Sequence, residues 1–291
     1  MRRWIGLAGT VVVLVLFAIV VSSQIVTTPI AEGLVLTDVV GQVTLLGASR
    51  DRGPAREGVP LNAADRIITG PDGRAVLVLG PDTSIRLQQG SSLEVVAISR
   101  DEVHLELDEG RVEATVRPTT GALRVGHGGR EVLGTDADFR LAVVGDLVAV
   151  EAERGELALK GMPGQSRLGE GQRLRQPTAD AEPHVAPIPD GLLLEVAWPE
   201  PPRTRQKAAT IVGQTEPGTT VILISGDHSV PVVAGPDGRF EGRIPLGAGQ
   251  NIVRVEATDV FGEAAPPRRT EIFSDQGVTF GGATISNGGG P

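Results

Sequence analysis

Between Gly33 and Gln176 the chain keeps breaking at turn signals. Pro71-Asp72-Gly73, Gly80-Pro81-Asp82, Gln89-Gly90, Glu109-Gly110, Gly128-Gly129 and Arg154-Gly155 punctuate short apolar runs. The runs between them carry a two-residue period. Val103-His104-Leu105-Glu106-Leu107 and Arg111-Val112-Glu113-Ala114-Thr115-Val116 alternate strictly, and Thr83-Ser84-Ile85-Arg86-Leu87 alternates as well. That period puts one face of a strand in a core and the other in water. Arg74–Leu79 is an apolar run of strand length. In this register Val76 and Leu105 are expected to face inward, and Arg74, His104 and Glu106 outward. The fold class expected is all-β.

Composition supports this. The chain of 291 residues holds 39 Gly and 21 Pro with no collagen period, so the excess belongs in turns. Aromatics are 3% of residues, so the cores must be Val, Leu, Ile and Ala. Cysteine is absent, which excludes a disulfide framework, a thiol nucleophile, a Cys-based zinc site and a lipid-anchor cysteine. The net charge of −9 is spread along the chain without a basic face, which argues against nucleic acid as a partner.

Residues 1–30 address the protein. Met1-Arg2-Arg3 precedes an uncharged run from Trp4 to Val21, at the short end of the about 17–25 residues that span a bilayer as a helix. The arginines hold the N-terminus inside, so the bulk faces out, in the periplasm of an inner-membrane-anchored protein. Val21-Ser22-Ser23 offers a weak cleavage site, so a removed signal segment is the competing reading. With the run kept as an anchor, only Met1–Arg3 would lie in the cytoplasm.

Residues 34–176 are expected to form one β domain. Residues 177–191, with Pro177, Pro183, Pro187 and Pro189, are expected to be a solvated linker with few contacts across it. Over 192–274 short strands resume: Leu192–Trp198, Ala208–Gly213, Thr219–Ser225, Ser229–Ala234, Arg239–Ile244, Gln250–Thr258 and Arg268–Phe273. Gly226-Asp227 is the signal for a two-residue hairpin. About seven strands in that length suit an immunoglobulin-like sandwich without its Cys…Trp…Cys hallmark. Residues 275–291 are a Gly-rich tail, with Val278–Ile285 as the one stretch suited to a further strand. Gly-Pro-Asp-Gly-Arg occurs at 70–74 and 235–239; it is one turn chemistry used twice.

Reactive constellations are scarce. His104, His127, His184 and His228 form no metal-ligand spacing. His228 sits among Ser225, Asp227 and Ser229, but a hairpin tip is not a triad. Asp136 and Asp138 share a face if extended, a pattern open to a cation or to acid–base work. Glu256 and Asp259 near Gly262 suggest two of the six or so oxygens that Ca²⁺ needs. Gly126-His127-Gly128-Gly129 is too short for a dinucleotide turn. Asp101-Glu102 and Asp108-Glu109 are acidic pairs at strand ends, suited to hydration and edge protection. No catalytic, cofactor-binding or metal residue is assigned, and no cofactor is expected.

Two resemblances add to this. Gly41-Gln42-Val43, Gly58, Leu61, Asp65-Arg66-Ile67-Ile68-Thr69-Gly70-Pro71-Asp72-Gly73-Arg74-Ala75 and Pro81–Leu87 resemble a FecR-type domain. So, in order, do Leu107–Gly110, Gly134-Thr135…Phe139, Val148-Ala149-Val150, Gly155 and Gly171-Gln172. The resemblance covers about 34–178. It implies a β-rich extracytoplasmic domain, in some members the sensor half of an anti-sigma factor. Here Asp136-Ala137-Asp138 intervene before Phe139, so that turn is expected to be remodelled. Residues 208–264 resemble bacterial immunoglobulin-like domains, through Gly213–Val221, Asp237-Gly238-Arg239-Phe240, Leu246, Gly249-Gln250-Asn251, Val255–Asp259 and Gly262. The function expected is a non-enzymatic, envelope-displayed binding or scaffolding protein, its partner an envelope protein or cell-wall polysaccharide. The alternative is the sensory component of a FecR-like membrane signalling system that works through a separate partner.

Overall fold

The computed structural model describes residues 33–47 and 52–275. The expected anchor at 1–30 lies outside them, as does the tail beyond Asp275. Among the described residues no helix is long and apolar enough to cross a membrane. The described fold is all-β, with one short 3₁₀ turn at Pro118–Thr120.

The first β region contains β1 (Leu34–Val40), β2 (Val43–Leu46), β3 (Arg52–Pro54), β4 (Arg66–Thr69), β5 (Arg74–Leu79), β6 (Thr83–Leu87), β7 (Ser92–Ile98) and β8 (Glu102–Val116). It continues with β9 (Ala122–His127), β10 (Arg130–Gly134), β11 (Ala137–Val144), β12 (Leu147–Arg154), β13 (Leu157–Lys160), β14 (Arg167–Leu168), β15 (Gln172–Gln176) and β16 (His184–Pro187).

Strand β8 organises all of them. The sequence suggested two strands broken by a turn at Glu109-Gly110, but the chain runs through as one bent strand. Its first half pairs with β7 and, in parallel, with β9. Its second half pairs with β6 and β11. The bend falls at Gly110, with φ +98; a Cβ there would lie 2.5 Å from the Ser91 backbone. Two periodic segments on either side of a glycine thus join two sheet halves over one aliphatic core.

The alternating residues face as their period dictates. Leu105, Leu107, Val112, Ala114 and Val116 are buried. His104 and Glu106 are only half-buried on the other face. Val76 corrects the expected register. The inward residues of β5 are Ala75, Leu77 and Leu79, while Val76 shares the outer face with Arg74 and stands opposite Arg86. An unbroken apolar run carries no alternation to show which set points inward. Phe139 is buried, and Thr135-Asp136 makes the crossing from β10 to β11. The acidic residues before Phe139 are therefore split, Asp136 in the crossing and Asp138 in the strand.

The second β region comprises β17 (Glu195–Ala197), β18 (Arg203–Thr204), β19 (Ala208–Gln214), β20 (Thr220–Ser225), β21 (His228–Val233), β22 (Arg239–Pro245), β23 (Gly249–Thr258) and β24 (Arg268–Ser274). A three-stranded sheet, β17-β19-β22, and a five-stranded sheet, β18-β24-β23-β20-β21, share one core. The hairpin at Gly226-Asp227 forms as its sequence predicts, with Ser225 opposite His228. Only Glu195–Ala197 of the expected strand over 192–198 pairs.

The expected linker is not a free tether. Within 177–191, β16 pairs with β15, and the Ile188 N–H donates to the Gly171 carbonyl at 2.8 Å. Gln176 Nε2 donates to the carbonyls of Ala179 and Ala181. Prolines exclude a helix, but they leave an edge strand open.

Candidate functional site: a buried ionic junction between the two β regions

Strands β11, β12 and β15 lie side by side, and their outward residues fall into register. Arg140 stands opposite Glu151, and Glu151 opposite Arg173. The same row continues the other way through Glu113 on β8 to Arg86 on β6. Charge alternates in sign across five strands, and directly opposed opposite charges are the favourable cross-strand pairing.

At the Arg86 end the row is in water. At the Arg173 end the second β region covers it. Strands β12 and β15 there lose their alternation, because both faces are shielded: Val148–Ala152 and Arg173–Gln176 are buried throughout. The cover consists of two loops, Glu216-Pro217-Gly218 between β19 and β20 and Asp259–Glu263 after β23.

The charges interlock. Arg173 binds Glu151, meets Glu216 at 2.5 Å through Nη1 and approaches Asp259 at 3.6 Å. Arg175 shares the same Glu216 oxygen and donates to the Pro217 carbonyl at 2.9 Å. Arg140 binds Glu151 and reaches Glu153 at 2.9 Å and Glu263 at 2.7 Å. Two guanidinium groups approach the Phe261 ring, Arg140 at 5.2 Å and Arg173 at 5.1 Å from its centre. Ala142, Ala149, Val260 and Phe261 close an apolar cluster with Leu147 beside them. Asp259 shapes its loop by accepting the N–H groups of Phe261 and Glu263 at 2.9 and 2.8 Å. Gly218, at φ +76, permits the approach; a Cβ there would meet the Leu147 methyl at 2.5 Å.

Burial dominates the electrostatics. The Glu151 side chain has no exposed surface, and desolvation raises its pKa above the usual carboxylate range despite Arg173 and Arg140. Burial likewise lowers the Arg175 pKa against the pull of Glu216. For Arg140, burial opposes the charge, but the bond to Glu263 and the nearby carboxylates outweigh it and raise the pKa. Such a cluster adds little net stability, because burying the charges costs desolvation, yet removing one partner strands a buried charge.

The candidates singled out from sequence go elsewhere. Asp136 and Asp138 do not form an open carboxylate pair: Arg154 bridges both, at 2.7 and 2.8 Å, and Arg117 takes Asp138 at 2.7 Å. Burial works against the Asp138 charge, but these two guanidinium groups prevail and lower its pKa. Glu256 ion-pairs with Arg254 at 3.1 Å, away from Asp259, which serves the junction. Asp101 and Glu109 are exposed, as expected of hydrated strand ends, while Glu102 makes a two-pronged bond to Arg124 and Asp108 binds Arg66. His127 Nδ1 lies 2.8 Å from the Leu107 carbonyl, while His184 and His228 are exposed. Among the described residues no three His, Asp or Glu side chains are placed to hold a metal ion.

Sequence reading missed Arg140, Glu151, Arg173 and Arg175, because alternate charges on strands resemble a solvated face. The available signal was the opposition of Arg and Glu across consecutive strands. Glu216 stands out in the sequence only as part of the immunoglobulin-like resemblance, and Asp259 through that resemblance and as a candidate Ca²⁺ ligand with Glu256.

Residues 65–158 match the family model described as FecR protein. The match spans β4 to β13 and includes Arg140 and Glu151, but ends before Arg173. Two crystal structures described as "a putative anti-sigma factor from Parabacteroides distasonis ATCC 8503" are similar to this chain. One is 20% identical with a TM-score of 0.37, covering 42% of this chain and 59% of that one. The other is 18% identical with a TM-score of 0.35, covering 41% and 57%. The aligned part thus spans less than two thirds of each of those chains. No curated protein matches the sequence.

Proposed function

We propose that this chain is the extracytoplasmic, non-enzymatic sensory component of a membrane regulatory system, acting through a separate partner protein. The FecR match over residues 65–158 carries this reading. The N-terminal apolar run supplies the expected inner-membrane anchor, and the bulk lies in the periplasm. The second β region, read as an immunoglobulin-like sandwich, offers the surface for an envelope protein or glycan. The ionic junction supports transmission, because a ligand that displaces one β region must also open or carry the other.

The test deletes the chain and measures genome-wide transcription, then restores it in two forms. One is the natural chain. The other has Trp4–Val21 replaced by an unrelated apolar helix of equal length. Restoration by the first form alone, at equal abundance and localisation, supports signalling through a partner helix. An unchanged transcriptome on deletion, or full restoration by the swapped form, leaves passive binding or scaffolding as the function.

A further inference from the structure

A cavity of about 260 Å³ opens where β16 and the Glu216-Pro217 loop meet over β15. That is below the about 300–1,000 Å³ of sites for drug-sized ligands, so its occupant is small. Cross-strand register builds the floor. Arg175 stands opposite His184 and Arg173 opposite Ala186, and directly opposed residues share a face of the sheet. All four line the cavity, with His184 exposed at its mouth. Pro187, Pro189 and Pro217 add apolar wall, and Glu216 is the one carboxylate of the lining.

Arg175 is the incomplete member of this set. Its side chain is nine-tenths buried, yet it has no carboxylate to itself: the Glu216 oxygen that it binds is the one Arg173 holds. Arg173 has Glu151 and Asp259 besides. Among the described residues Arg175 makes two hydrogen bonds, to Glu216 and to the Pro217 carbonyl, fewer than a guanidinium can donate. Its Nε is buried without an acceptor. A buried donor of this kind is costly until an acceptor arrives. Burial already works against the charge of the whole group. His184, on the same face, offers a further N–H beside it.

We propose that this cavity is a binding site for a small monocarboxylate with a short apolar chain. The carboxylate accepts from Arg175 and His184, and the chain lies against Ala186 and the prolines. Glu216 in the wall decides the charge: it opposes a second negative charge, so a phosphate dianion fits worse than a monoanion. A ligand seated here touches β15 and β16 on one side and the Glu216-Pro217 loop on the other, so it holds the two β regions together. That such a ligand is the signal sensed rests on the reading above; its binding does not.

The deciding measurement titrates butyrate into the full-length chain in detergent, at fixed pH and ionic strength. The ring-proton resonance of His184, identified among the 4 His by its loss in His184→Gln, reports the site. A saturable shift in the millimolar range is expected, with a rise in thermal midpoint. Inorganic phosphate should bind about tenfold more weakly or not at all, the second charge being opposed by Glu216. Ala186→Phe fills the cavity without removing a charge, and should abolish the shift while the circular dichroism of the folded chain is kept. Arg175→Lys keeps a cation on Glu216 but gives up the planar donors, and should weaken binding about tenfold. No saturable shift, an equal response to butyrate and phosphate, or binding that survives both variants would each overturn the proposal.

Discussion

Glu151 on β12 and Arg173 on β15 stand directly opposite each other in one antiparallel ladder, both buried, and each is also held by a further charge. Arg140 takes the second oxygen of Glu151, and Glu216 from the other β region takes the other side of Arg173. Breaking a buried pair leaves an unpaired charge and costs about 3–5 kcal/mol. Glu151→Gln should lose that order of stability in urea unfolding. Arg173→Met should lose more, because it takes a partner from Glu216 and Asp259 as well, leaving Glu216 with Arg175 alone. The double variant should recover part of the loss, and simple additivity would show that the two residues are not coupled.

The junction should make the two β regions unfold together. Calorimetry of the intact chain should give one transition over residues 33–275. Phe261→Ala removes the ring that both Arg140 and Arg173 approach and should split it into two. Limited proteolysis near 177–191 should be slow in the natural chain and fast in this variant. Rapid cleavage there in the natural chain would restore the picture of a free linker.

Asp138 and Glu151 should pull stability in opposite directions with pH. The Asp138 pKa is lowered in the folded state, so its contribution is present above the ordinary carboxylate pKa of about 3.9 and fades as pH falls below it. The Glu151 pKa is raised, so the folded state holds its proton more tightly than the unfolded chain does. Its contribution falls as pH rises from about 4.3 through the raised value. The deficit of Asp138→Asn against the natural chain should therefore shrink on acidification below pH of about 4. The deficit of Glu151→Gln should be largest in acid and shrink as pH rises. A pH-independent deficit in either variant would refute its assignment.

Gly110 should resist substitution more than an open-turn glycine. Gly110→Ala forces a Cβ onto the Ser91 backbone at positive φ, while Gly128, with φ +56, has open space around it. Gly128→Ala should cost about 1 kcal/mol, and Gly110→Ala distinctly more. Equal costs would mean that the bend in β8 relaxes.

The β5 register can be checked the same way. Leu77→Ala should cost about 2–5 kcal/mol and Val76→Ala clearly less. Leu105→Ala should likewise exceed His104→Ala. Inverted orders would place the wrong face in the core.

Period and punctuation determined much of this protein. The strict alternation of 103–107 and 111–116 was enough to put Leu105 and Val112 inside, because a two-residue period admits only one buried set. Asp-Gly and Gly-Gly pairs located hairpins, since positive φ is a local requirement. The apolar run Arg74–Leu79 gave a strand but not its inward face, as it had no alternation to read. Tertiary structure alone decided that β8 bends through Gly110 instead of reversing, because the partners on either side of the bend are distant in sequence. It alone buried Glu151 and Arg173: local sequence shows that a charge alternates with apolar residues, but not that another part of the chain will cover that face. The junction depends on loops more than forty residues from Arg173, and burial of a charge is a property of what packs over it.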